Sequence, residues 1–145
     1  MFPQSLNKTG RASLYHFGDN NFEEMQTLFD KYEYPKKYLK LVTRKGFTFG
    51  LAGTGTGVPF HTHGAVFAET IYGRKRWFLS EPNKSPKFDK DENMLTYFRG
   101  VYSNLSTKDK PLSCVCDVGD LIYVPSNWDH ATLNIGQIVF VSIFL

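Results

Sequence analysis

Cysteine is scarce in this 145-residue chain: Cys114 and Cys116 are the only two. Two thiols make no disulfide scaffold and no zinc ribbon, which needs a second pair, so both read as free, buried thiols on one face of a strand. A chain of this length buries roughly two thirds of its unfolded surface without such help. Long apolar runs are missing as well. The longest, Ile138 to Leu145, is eight residues with Ser142 inside it, far short of the roughly 20 a membrane-crossing helix needs. Charge of one sign is lacking too, since 17 Lys+Arg face 14 Asp+Glu for a net +3. The basic residues fall in short groups such as Lys36-Lys37, Arg44-Lys45 and Arg74-Lys75-Arg76, which fit solvated loops and strand ends and not a nucleic-acid face. There is no internal repeat and no low-complexity tract, so residues 1–145 are expected to form one domain. Met1-Phe2-Pro3-Gln4 does not open a signal peptide; the expectation is a chain without its natural N-terminus, or one that is not secreted.

What the chain has is aromatic bulk. Aromatic residues make up 16%, and 13 of them are Phe, which favours β-structure around a thick apolar interior. One helix is expected from Asn20 to Tyr32, with Asn21 and Glu24 as a capping box, Phe22, Met25, Leu28 and Phe29 as its apolar stripe, and Pro35 beyond its end. From Tyr38 onward the period is two. Short strands are expected at Tyr38–Val42, Phe47–Leu51, Ala65–Ala68, Arg76–Leu79, Leu121–Val124, Ala131–Leu133 and Ile138–Val141. About eight such strands describe a β-sandwich or barrel. A polar insert, Glu81 to Leu112, carries Met94, Leu95, Phe98 and Val101 at helical spacing, so a short helix is expected to pack outside the sheets.

Three of the four histidines are the most informative residues. His61 and His63 lie two apart in what reads as a strand, so their rings share a face, and His130 opens a later strand. Three such imidazoles can hold one face of a metal ion and leave positions open; rim histidines hydrogen-bonded to their neighbours are the plain alternative. His16, between Tyr15 and Phe17, has no such partner. Alternation places Lys75 with Trp77 and Leu79, and Arg74, Arg76 and Phe78 on the other face. A lysine on an apolar face calls for an anion, unless it snorkels to solvent from the strand end. Thr132 and Asn134 share the parity of His130 and are expected to face the same pocket. Asp129 points away and reads as a surface group.

Four ordered blocks carry a resemblance: Gly57-Val58-Pro59-Phe60-His61-Thr62-His63, Ile71-Tyr72-Gly73-Arg74-Lys75-Arg76-Trp77-Phe78-Leu79, Gly119-Asp120-Leu121-Ile122-Tyr123-Val124-Pro125, and Trp128-Asp129-His130 with Asn134. Together they resemble a jumonji-C (JmjC) domain of the cupin type, over Ser13 to Leu145. The resemblance implies a double-stranded β-helix of eight strands in two facing sheets, with a metal site at one mouth. In members that are oxygenases, two histidines and a carboxylate hold Fe(II), which 2-oxoglutarate chelates. His61 and His130 match the histidines, and Lys75 matches the lysine that pairs with the cosubstrate's distal carboxylate. His63 stands where the carboxylate is expected, Val58 where many relatives carry Thr or Ser, and Ala68 where some carry a polar residue. A third imidazole raises the charge of the site by one, which weakens its hold on a dication and favours a dianion.

The resemblance thus implies a 2-oxoglutarate- and Fe(II)-dependent oxygenase that hydroxylates a protein side chain, with His61, His63 and His130 on the metal and Lys75, Thr132 and Asn134 toward the cosubstrate. Two alternatives stand beside it. One is a catalytically silent JmjC scaffold, suggested by His63, Val58 and Ala68; the other is a three-histidine cupin that uses no keto acid. The short chain sets it with hydroxylase-like members and not with histone demethylases. Phe17-Gly18-Asp19-Asn20-Asn21-Phe22 resembles the opening of a family member of the endoplasmic-reticulum lumen. Three glycosylation sequons, at Asn7, Asn83 and Asn104, agree with that location.

Overall fold

The computed structural model of the protein describes residues 14–18, 23–33, 46–89 and 91–145. The elements are β1 (Tyr15–Phe17), α1 (Glu23–Asp30), β2 (Gly46–Ala52), β3 (Val66–Ser80), α2 (Met94–Thr96), β4 (Leu112–Cys116), β5 (Leu121–Val124) and β6 (Asp129–Phe144). A π-turn, Tyr97–Val101, and a 3-10 turn, Tyr102–Asn104, continue α2. All strand pairs are antiparallel.

Two long strands explain how period-two sequence closes into a β-helix. β3 and β6 pair along most of their length, with register shifts between Thr70, Tyr72 and Arg74. Such bulges bend a strand and raise its twist. Gly73 sits in this bend at φ 79°, and a Cβ there would lie 2.0 Å from the Gln137 carbonyl oxygen, so only glycine lets the two strands cross so closely. Beyond the bend each strand enters a second sheet. One sheet holds β1, β2, the second half of β6, the first half of β3 and β5. The other holds the second half of β3, β4 and the first half of β6. The segment from Thr56 to His61 hydrogen-bonds to the outer edge of that half of β6. The strands expected at Ala65–Ala68 and Arg76–Leu79 are thus the two halves of β3, and those at Ala131–Leu133 and Ile138–Val141 the two halves of β6.

Alternation decides what each face covers. Val66, Ala68, Trp77, Leu79, Cys116 and Val124 pack together inside. The opposite face of the second sheet, with Phe78, Ala131 and Leu133, packs on Met94 and Tyr97 of the insert, as the helical spacing there required. Asn93 caps α2, its side-chain oxygen accepting from the Thr96 N–H at 3.0 Å. Outside the first sheet, Val141 and Ile143 pack with Phe29 and Tyr32.

Several expectations need correction. The helix ends at Asp30, short of Tyr32, and Leu28 is exposed while Met25 and Phe29 are half-buried, with Phe29 meeting the sheet at Phe47. Cys114 is exposed and only Cys116 is buried, both free, although β3 pairs with β4 from Leu112 to Cys116. Residues 61–63 are not a strand: His61 makes one isolated bridge to His130. Asn7, Asn21, Phe22, the Glu24 side chain and the strand expected at Tyr38–Val42 lie outside the described residues. No described helix is long and apolar enough to cross a membrane.

Candidate metal centre and its neighbouring pocket

Backbone bonds bring the three histidines together. The His61 and His130 N–H groups each donate to the other's carbonyl, at 3.1 and 3.0 Å, and the Asn127 N–H donates to the His63 carbonyl at 3.1 Å. The rings of His61 and His63 then lie 4.2 and 4.5 Å from that of His130, centroid to centroid. One ligand nitrogen from each falls within 4.8 Å of the others. His16 is exposed on β1 and takes no part.

The tautomers follow from the acceptors. Nδ1 of His61 lies 2.8 Å from the Pro59 carbonyl oxygen, Nδ1 of His63 lies 2.6 Å from that of Gly64, and Nδ1 of His130 lies 3.0 Å from that of Trp128. A carbonyl only accepts, so each Nδ1 carries the proton and each Nε2 presents a lone pair. Yet Nε2 of His130 and Nε2 of His63 are 3.0 Å apart. Two lone pairs at that distance repel, so a proton on one of the rings or a metal ion must lie between them. Nitrogen ligands about 2.1 Å from a shared ion and at right angles to one another lie about 3 Å apart. The donor set therefore fits a divalent transition metal, with the tautomers set by second-shell carbonyls as metal-binding histidines require. Burial lowers the pKa of His130 to about 4 and also depresses that of His61, against which the Pro59 carbonyl works. Both rings are thus neutral and ready to bind. Asp129 is half-buried, takes a hydrogen bond from Ser85 and raises the His61 pKa slightly, so it is less of a surface group than its parity suggested.

Beside the triad lies Lys75, only 2% exposed. It stands opposite Asn134 on β6 and Cys116 on β4, and burial pushes its pKa well below 10.5. Among the described residues it makes no ion pair; its Nζ instead sits 3.0 Å from the centroid of the Phe140 ring and 5.6 Å from that of Trp77. The Asn134 Oδ1 is buried without a hydrogen-bond partner, and the buried Tyr15 hydroxyl stands against the Thr132 side chain. Thr132 is buried and lines the same small cavity as Lys75 and the three histidines, its hydroxyl accepting from the Val58 N–H at 3.1 Å. Asn134 is buried but does not line the cavity, because its Nδ2 is turned to the Thr56 hydroxyl at 2.9 Å.

The polar groups suit a carboxylate, but the space does not. The cavity amounts to about 30 Å³, the share of one water molecule in the liquid. A five-carbon dicarboxylate such as 2-oxoglutarate does not fit this arrangement, because Phe140 fills the volume it needs. Tyr15 and Phe140 were not picked out from the sequence; the signal available was their parity with Phe17 and Ser142 on strands that turn inward.

Known proteins resemble this chain in the same terms. JmjC domain-containing protein 8 of Mus musculus is 46% identical over 143 residues, covering 99% of this chain and 53% of that protein. The 2-oxoglutarate and iron-dependent oxygenase JMJD4 of Danio rerio is 25% identical over 61% of this chain and 24% of its own length. The chain spans about half the length of the first of these. Among solved structures, YcfD, a ribosomal oxygenase from Escherichia coli, superposes with TM-score 0.53 at 18% identity, over 76% of this chain and 26% of that one, a likeness of fold. The JmjC domain model matches residues 31–144, nearly the whole folded β-helix and all three histidines, and the chain belongs to the JmjC domain family.

Proposed function

We propose that this chain is a metal-dependent member of the JmjC oxygenases, holding Fe(II) between His61, His63 and His130 and acting on a protein side chain. The observation that carries this reading is the convergence of three Nε2 lone pairs, two of them 3.0 Å apart, with every Nδ1 tied to a carbonyl. Relatives named as 2-oxoglutarate and iron-dependent oxygenases support it. Iron held there would supply oxygen activation. The protein's own contribution would be to aim the three imidazoles, through carbonyls that hold each Nδ1, beside the half-exposed mouth at His63.

Lys75 and Thr132, which line the cavity, are the residues proposed to meet a dicarboxylate cosubstrate once Phe140 is out of its way, supported by the buried lysine without an ion pair among the described residues; Asn134, turned to Thr56, stands outside that cavity. The test is an anaerobic titration of the Fe(II)-loaded chain with 2-oxoglutarate, following the visible charge-transfer absorption of a chelate. A saturable band that disappears in His61→Ala supports the oxygenase. A protein that binds one equivalent of iron and gives no band at any concentration points to the second reading, a JmjC metal site that runs without a keto acid. The Phe140 ring on Lys75 favours that second reading.

A location in the endoplasmic-reticulum lumen is proposed as well. Asn83 and Asn104 are both exposed, as acceptors of glycans must be. A glycosidase-sensitive mass shift of protein from secretory-pathway cells, lost when Asn7, Asn83 and Asn104 are all changed to Gln, is the expected result; no shift removes this support.

A further inference from the structure

We propose that Phe140 is a plug: its ring occupies the carboxylate position beside Lys75, and a dicarboxylate enters this pocket only when the ring leaves. The proposal rests on the reading of the site as a metal centre with an anion pocket, and four observations carry it. First, the ring lies on the ammonium, 3.0 Å from Nζ to centroid, in the place an anionic partner takes. Second, the position is built for the ring. Phe140 faces Gly50 across the β2–β6 pair, and a Cβ on Gly50 would fall 2.1 Å from the ring's Cζ and 2.3 Å from a Cε. Any side chain larger than hydrogen there would push the ring off Lys75.

Third, polar side chains line the pocket although no anion fits. Beside the triad the cavity carries Tyr15, Lys75, Thr132 and Ser142, with the Tyr15 hydroxyl against that of Thr132 and the Thr132 oxygen accepting from the Val58 N–H. Four polar side chains in an otherwise apolar cavity carry a desolvation cost. A ring face is a weaker partner for a buried ammonium than a carboxylate is, so the plug is displaceable. Fourth, the ring backs onto a short strand. It touches Phe17, at 5.3 Å between centroids, and Phe17 belongs to β1, three residues long and, among the described residues, paired with β2; short strands with few partners open locally at low cost.

The test is isothermal titration of Zn(II)-loaded full-length chain with 2-oxoglutarate, metal stoichiometry being measured in each sample. Zinc keeps oxygen chemistry out of the readout. Phe140→Ala is expected to bind at least about tenfold more tightly than the unmodified chain, a difference well above the scatter of such titrations. Phe140→Leu is expected to lie between them, which keeps the test valid where the alanine variant folds poorly. Phe140→Ala/Lys75→Met is expected to lose the gain. Equal affinity in the unmodified chain and both Phe140 variants overturns the plug and leaves the anion pocket standing. Binding in none of them, with one zinc per chain retained, overturns the anion pocket and the plug with it.

Discussion

The triad and the Lys75 pocket share one cavity, yet they are finished to different degrees. At the triad every polar atom is accounted for once a cation is supplied: three Nδ1 protons go to three carbonyls and three Nε2 lone pairs converge. In the pocket the buried Lys75 amine has no ion pair among the described residues, and an aromatic ring stands over it instead. The lesson is that one fold keeps a metal-binding face by backbone geometry while the pocket next to it changes through one side chain. The triad depends on where the chain turns at Pro59, Gly64 and Trp128. The pocket depends on which residue sits at position 140 of a long strand.

The largest effect that separates the two regions belongs to His130→Ala. Removing one of three ligands is expected to weaken Zn(II) or Co(II) affinity by about a hundredfold or more, read by competition with a chromogenic chelator. Lys75→Met is expected to leave that affinity within about twofold, since the lysine is no ligand; a large loss there would merge the two regions into one functional unit.

Lys75→Met sharpens the comparison in a second way. It replaces a buried amine, whose charge burial disfavours, by an apolar side chain of similar shape. The metal-free chain is expected to gain about 2 kcal/mol in denaturant unfolding. A loss of stability would mean that the lysine has a strong partner within the fold.

The smallest effect is the pH dependence of the metal-free protein. The folded pKa of His130, about 4, lies below its unfolded value near 6.5. Below pH 6.5 the unfolded chain therefore binds a proton that the folded chain refuses, and stability falls as pH falls toward 4. His61, also depressed, adds in the same direction. Between pH 7 and 5.5 the loss from His130 alone is expected to be about 1 kcal/mol, and it should shrink in His130→Ala. A metal-free chain equally stable at both values would mean that the ring is not held neutral in the fold.

Much of this architecture was legible from residue order. The period of two, the apolar spacing of Met94, Leu95, Phe98 and Val101, and the Gly and Asn turns located most of the described strands and the helical insert. The pair His61 and His63, the later His130, and the parity of Lys75 with Trp77 single out four residues that line one cavity. What the pattern did not contain was continuity. Four short apolar runs became two bent strands, because bulges at Thr70 to Arg74 let β3 and β6 pass from one sheet to the other with hydrogen bonding maintained.

The same distinction holds at the site. The amino-acid sequence by itself determined the residue types and, for Lys75 and His130 on their strands, the faces, since alternation is a local property of extended chain and the imidazoles and the lysine bring their chemistry with them; His61 and His63 meet outside any strand. Only the tertiary structure decided which histidine nitrogens converge, because the acceptors are backbone carbonyls that no side-chain pattern encodes. Tertiary register also decided that Phe140 faces Gly50 and covers Lys75. That contact joins residues from three strands far apart along the chain, and steric exclusion between them exists only once the sheets have closed.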